Sequence, residues 1–252
     1  MSLALTRLWL LVGLVFLAHT NPANAQQENH LQKRIESLAM FRSADGVLHL
    51  RKWTVPIELD WQDVNVPPQH ASGMGSQDRS NILQTIEQLL RGTLGEKYLG
   101  MSQTGNLHVE FFSGPSDEFK ALWRNAEAHQ NRYNETCSDV IYNEDSTLTY
   151  PIDAEVDPLA THITDGSIVV NAASWQDQPD HSWKCLNLAV FGVLGIHGEV
   201  EASGGSSLFS QASPAKTPTA SDLDLLKVVY SDQLRAGASV AEVRRVLGEP
   251  LP

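Results

Sequence analysis

Basic side chains are scarce. The 252 residues include 18 Lys and Arg against 30 Asp and Glu, a formal charge of −12 with a pI near 5.1. That balance leaves no basic face for a phosphate backbone and argues against general binding to nucleic acid or to an anionic membrane surface. Catalytic signatures are scarce too. There is no Gly-x-Ser-x-Gly run, so the strained turn of a serine hydrolase is missing. No phosphate-cradling loop occurs, because Gly73-Met74-Gly75 lacks both a third glycine and an orderly strand before it, and reads as a flexible tip. No internal repeat and no second domain boundary is visible. What remains, 42% hydrophobic and 19% charged residues, fits a globular chain of one domain without long disorder.

The N-terminus carries the clearest signal. Arg7 supplies a positive start, Leu8 to Ala18 an apolar run, and Ala23-Asn24-Ala25 a small-x-small cleavage site. Residues 1–25 therefore read as a secretory signal peptide, cut between Ala25 and Gln26. The run is short of the roughly 20 residues that a bilayer span needs, and no Cys follows the site to carry a lipid anchor. Cleavage leaves 227 residues in one exported domain, 26–252. Arg7 is the only formally charged residue lost, so 17 basic stand against 30 acidic residues, a balance of −13.

Export gives the two cysteines a meaning, since an oxidising compartment favours pairing Cys137 with Cys185. The bridge would close a loop of about 49 residues, worth roughly 4 kcal/mol in the chain-entropy model. The alternative is a thiol nucleophile or metal ligand, with His181 one helical turn from Cys185.

Hydrophobic spacing predicts the elements. Leu31, Ile35 and Leu38 place a short amphipathic helix in 26–42, and the period-two series Trp53, Val55, Ile57, Leu59, Trp61 places a strand over 47–61, at an edge because of Pro56. Residues 63–76 read as a loop. Ile82, Ile86, Leu89 and Leu90 predict a helix over 79–94 capped by Asp78 or Ser80. A strand over 107–112 is followed by a helix from Ser116. Short strands at 140–142, 148–152 and 167–171 read as a hairpin and an edge strand. The apolar stretch His181 to Ile196 is long enough for a buried helix. Residues 198–220 read as a loop pinned by Leu208-Phe209. Two helices close the chain: one capped by Ser221 or Thr219, with Gly237 beyond it, and one over 240–247 with Val243 inward. The fold class is α+β, a small mixed sheet with packed helices.

A resemblance emerges from the C-terminal third. Cys185, Leu194-Gly195-Ile196, Ser207-Leu208-Phe209, Thr219-x-x-Asp222-x-x-Leu225-Leu226-x-x-Val229-Tyr230, Leu234, Gly237, Ser239 and Glu242 together resemble the proteobacterial domain of unknown function numbered 2927, whose members are exported. The likeness covers about 53–247. That family is in turn similar to secreted zinc peptidases of the metzincin type, so it implies a zincin-like architecture. A zincin helix carries His-Glu-x-x-His, in which residues four apart bring two imidazoles to one metal and the Glu deprotonates the bound water. Counted back from Leu194-Gly195, the two His positions fall on Leu188 and Gly192 and the Glu position on Ala189. None can bind zinc or act as a base.

Other residues offer weaker chemistry. His197, Glu199 and Glu201 lie just beyond this helix, and Asp180 and His181 at its start. His49, His70, His108, His129 and His162 read as surface or strand residues. Glu144-Asp145 and Asp153 to Asp157 lack the spacing that wraps one calcium ion. Asn134-Glu135-Thr136 matches a glycosylation acceptor. The sequence thus predicts a periplasmic or secreted, non-catalytic binding or accessory protein on a degenerate zincin-like fold. It has no cofactor and no metal, and no catalytic residue is assigned. The expected partner is a protein, a peptide or an envelope component, with Trp53, Trp61, Trp123, Trp175 and Trp183 as candidate surface residues. The alternative is a hydrolase of peptides or envelope polymers with a non-standard metal site around His181, His197 and Glu199. A third class is a secreted inhibitor whose acidic surface docks on a basic enzyme.

Overall fold

The structure is a computed structural model that describes residues 22–42, 46–64, 74–114, 117–121, 137, 140–144, 161–177, 179–197, 207–210 and 213–248. Most of the expected leader lies outside these residues, as do Trp123, Glu199, Glu201, the strand expected over 148–152, the acidic run from Asp153, and the Asn134 acceptor motif.

The chain opens with helix α1 (Pro22–Leu38), which starts earlier than its apolar spacing suggests and crosses the expected cleavage point. Strands β1 (Met40–Arg42) and β2 (Leu48–Leu50) form an antiparallel pair. The single strand expected over 47–61 is instead three pieces: β2, then β3 (Lys52–Trp53), then β4 (Ile57–Val64). Pro56, which has no N–H to give a ladder, marks the break before β4. The expected edge position is also corrected, because β4 is paired on both sides.

Helix α2 (Ser76–Leu94) buries Ile82, Ile86 and Leu90, the residues whose spacing predicts it. Its N-cap is Gly75, with no side-chain cap bond, rather than Asp78 or Ser80. Asp78 sits in the first turn, where it favours the helix dipole. Strands β5 (Tyr98–Met101), β6 (Leu107–Phe112), β7 (Val140–Glu144) and β9 (Gly166–Asn171) complete a five-stranded sheet in the order β5-β4-β6-β9-β7. The first four are parallel and β7 is antiparallel at the edge. The 167–171 segment is therefore an interior strand and β7 the edge one. Two-residue strand β8 (His162–Ile163) pairs with β3.

Alternation decides which sheet face is covered. Ile57, Leu59, Leu107, Val109, Phe111, Ile168 and Val170 enter the main core with α2 and the later helices. On the other face Phe112 and Phe119 form a small separate cluster with Val64 and Val169, while Asp60, His108 and Glu110 are only half-buried. The chain then forms α3 (Ala172–Asp177), α4 (Pro179–Val193), α5 (Ala220–Val229) and α6 (Val240–Val246). Both last helices begin with a reciprocal capping box, Thr219 with Asp222 and Ser239 with Glu242.

Helix α4 ends in a Schellman turn: Ile196 N–H donates to the Phe191 carbonyl and Gly195 N–H to the Gly192 carbonyl. Gly195 has φ +84, and a Cβ there would lie 2.6 Å from the Arg51 carbonyl oxygen. Two separate penalties, left-handed backbone and backbone collision, thus fall on one residue. Gly195→Ala should cost well over the ~1–2 kcal/mol of left-handed strain alone, whereas Gly248→Ala, with φ +77 and nothing within 4 Å, should show only that strain. Urea denaturation of the two variants checks the difference.

Candidate functional site

The resemblance read from the sequence points to α4, so the surroundings of that helix decide what it can do. Residues 180, 184, 187 and 191 form one stripe at helical spacing, and the described residues 207–210 and 213–216 meet it. Lys184 Nζ donates to the carbonyls of Ser210 (3.4 Å) and Ser213 (3.2 Å), and Asn187 Nδ2 donates to that of Lys216 at 3.0 Å. Lys216 pairs with Asp180, and Phe191 meets Phe209 edge-on with ring centroids 5.2 Å apart. Leu208 and Phe209 are buried, as the pinned-loop reading expects.

The next stripe carries His181, Cys185, Leu188 and Gly192. Here the template positions are filled by packing: Leu188 is half-buried against the core, and Ala189 and Gly192 are buried in it. One turn earlier Cys185 is bonded to Cys137, with Cα atoms 5.3 Å apart. His181 Nε2 lies 3.6 Å from Cys185 Sγ. His197 is beyond the other end of the helix, its N–H on the Leu38 carbonyl at 2.8 Å. From His181 to Val193 the helix alone rises roughly 18 Å, so His181 and His197 cannot share one metal ion.

The remaining candidates are placed as follows. His49 contacts the Gly237 carbonyl at 3.2 Å, and His162 the Thr161 hydroxyl at 3.2 Å. His108 has Asp60 3.7 Å from Nδ1 and Asp165 3.6 Å from Nε2. Carboxylates on opposite ring nitrogens cannot converge on one ion with that ring. Among the described residues no group of three His, Cys, Asp or Glu side chains is arranged to hold a metal. Trp53 and Trp175 are core residues, and Trp183 packs edge-on against Trp175 at 4.8 Å. Trp61 is 41% exposed, so of the four described it is the one set on the surface.

Among the described residues, sequence reasoning missed three buried basic side chains, Arg34, Arg51 and Lys52, of which the first and last make the fullest contacts. Arg34, only 3% exposed at its side chain, pairs with Asp222, which is fully buried. Asp222 also accepts from the Leu208 and Thr219 amides and from the Ser207 and Thr219 hydroxyls, while Arg34 donates to the Ser221 carbonyl and hydroxyl and to the Ser207 hydroxyl. Burial by itself would raise the Asp222 pKa, but these hydrogen bonds outweigh it and hold the carboxyl below its ordinary range. The signal for this pair was the capping Asp of an apolar helix, which needs a cation once it is covered. Lys52 is another. Its Nζ donates to the carbonyls of Val229 (3.0 Å), Ser231 (3.3 Å) and Leu234 (2.6 Å), and burial, with Lys97 nearby, pushes its pKa down to about 8.

The chain matches the family described as a protein of unknown function, DUF2927, over residues 16–249. It belongs to that family. No curated protein and no solved structure matches it. The α+β class expected from sequence holds for this DUF2927 chain, and no helix among its described residues is long and apolar enough to cross a membrane.

Two measurements follow from the buried charges. Arg34→Met leaves Asp222 buried without its cation and should cost about 3–5 kcal/mol, read from urea unfolding. Asp222 has a folded pKa below its unfolded one, so its contribution is present above the unfolded value near 3.8 and is lost as pH falls through the folded value. Asp222→Asn should therefore flatten the acid limb of stability against pH. Lys52 acts in the opposite range. Between about 8 and 10.5 the unfolded chain holds a proton that the folded chain has released, so this group makes stability rise with pH there, and Lys52→Met should remove that rise from thermal midpoints measured over the window.

Proposed function

We propose that this DUF2927 protein is an exported, non-catalytic binding or accessory module that keeps a zincin-like helix and turn without the zinc chemistry. The observation that carries the reading is the filling of the template positions. Ala189 and Gly192 are packed into the core, Leu188 lies half-buried against it, and the neighbouring stripe of α4 is bonded to Ser210, Ser213 and Lys216. The glycine of the template remains as Gly195 in its left-handed turn, and the Thr-x-x-Asp helix start remains as the Thr219–Asp222 box. A helix retained with its turn and its cap, but closed over by apolar packing, supports an architecture kept for shape.

Export is supported by the leader composition and by the Cys137–Cys185 bond, which an oxidising compartment sustains. Cleavage after Ala25 would remove the first four residues of α1 and leave Gln26 to Leu38, including Arg34 and its contacts with Asp222. The partner is a protein, a peptide or an envelope component, and the −13 charge of the cleaved chain favours one with a basic surface.

The test is elemental analysis of the purified, metal-unstripped cleaved chain, with a thiol count under denaturing conditions. The expected result is no stoichiometric transition metal and no free thiol. One metal ion per chain would overturn the proposal in favour of a hydrolase, and single substitutions at His181, His197 and Glu199 would then locate the ion.

A further inference from the structure

We propose that the Cys137–Cys185 bond is a redox-labile cross-link that His181 primes for thiol–disulfide exchange, a property independent of the binding role above. His181 and Cys185 are four residues apart on α4 and share a stripe, with Nε2 3.6 Å from Sγ. A bonded sulfur carries no hydrogen, so in this contact the ring N–H is the donor. The same N–H faces the atom on which charge appears when the bond breaks, and a stabilised thiolate leaves faster. The two sulfurs are not equivalent in access. Cys137 is 7% exposed and lies outside any helix ahead of β7, whereas Cys185 is 1% exposed in the middle of α4. Attack therefore falls on Cys137, and Cys185 is the leaving sulfur.

The step balances with an external thiol as reductant. A thiolate attacks Cys137 Sγ and forms a mixed disulfide, while the Cys137–Cys185 bond breaks with its electron pair passing to Cys185 Sγ beside the His181 N–H. A second thiolate attacks the external sulfur of the mixed disulfide, releasing the oxidised external pair and the Cys137 thiolate. Two thiols are oxidised, one disulfide is reduced, and the two protons of the external thiols are available to the protein sulfurs.

Opening the bond does not dismantle its surroundings. Helix α4 keeps Lys184 on Ser210 and Ser213 and Asn187 on Lys216, and at its far end Trp53 Nε1 donates to the Val193 carbonyl (2.7 Å) and the Tyr230 hydroxyl to that of Leu194 (2.8 Å). Strand β7 keeps its five-residue ladder to β9. What is released is the tie between Cys137 and the central helix.

The experiment equilibrates the oxidised full chain in glutathione redox buffers and reads the reduced fraction by alkylation and mass. Relative to wild type, His181→Ala should lower the equilibrium constant for reduction about tenfold, equivalent to about 30 mV for a two-electron couple, and slow the reaction, with the oxidised proteins melting at the same temperature. His181→Gln, which keeps an N–H donor on a longer and more flexible side chain, should fall between them. In reduced wild type, Cys185 should be alkylated as a thiolate at lower pH than Cys137, and His181→Ala should erase that difference. Equal equilibrium constants and rates for wild type and His181→Ala would overturn the proposal. So would a wild-type Cys185 that titrates like Cys137, a readout that holds even where a variant fails to fold.

Discussion

A single buried ion pair ties the two ends of this chain together. Arg34 on α1 and Asp222 on α5 are 188 residues apart, and both are withdrawn from water. Neither charge is tolerable alone in that setting, so each enforces the presence of the other. The pair is specific because almost every lone pair of the carboxylate is used: two amides, two hydroxyls and the guanidinium converge on it. Through Ser207 and Leu208 the same carboxylate fixes the segment that lies along α4. The placement of α1, of the strap and of α5 is thus one electrostatic decision rather than three.

The central helix is held by a different means. Its last carbonyls are taken up by Trp53 and Tyr230, and Tyr230 in turn accepts from the Trp53 amide at 3.2 Å. Lys52, next to Trp53, closes the turn after α5 through three carbonyls. Strand β3, only two residues long, is therefore a polar hub in an apolar interior, satisfying groups from two helices at once. This arrangement places the end of α4 accurately while leaving its interior stripes to ordinary hydrophobic packing.

Much of the fold was legible where the cause is local. The 107–112 strand and the 240–247 helix follow their own alternation and capping residues, and the structure sets them at Leu107–Phe112 and Val240–Val246. Pairing was not legible. Ser167 to Asn171 reads as an edge because its partners β6 and β7 lie elsewhere in the chain, and 47–61 reads as one strand because period two continues past Pro56 although the ladder does not. At the site, the apolar side chains at the positions counted back from Leu194-Gly195 could be read directly, but the core that covers Ala189 and Gly192, and the segment met by Lys184, Asn187 and Phe191 on the neighbouring stripe, depend on distant parts of the chain. Lys52 between Arg51 and Trp53 carries no sequence signal of burial at all.

The long span of the Arg34–Asp222 pair also orders events in time. Parallel strands and a contact across 188 residues are non-local and slow to form. A chain that emerges N-terminus first cannot seat α1 until Asp222 has followed it. Until then the early half has exposed apolar strands and no closing partner, the state in which a polypeptide is most easily threaded and most easily captured by chaperones. Closure is thereby deferred until α5 has followed, and truncation anywhere before α5 leaves α1 without its counter-charge.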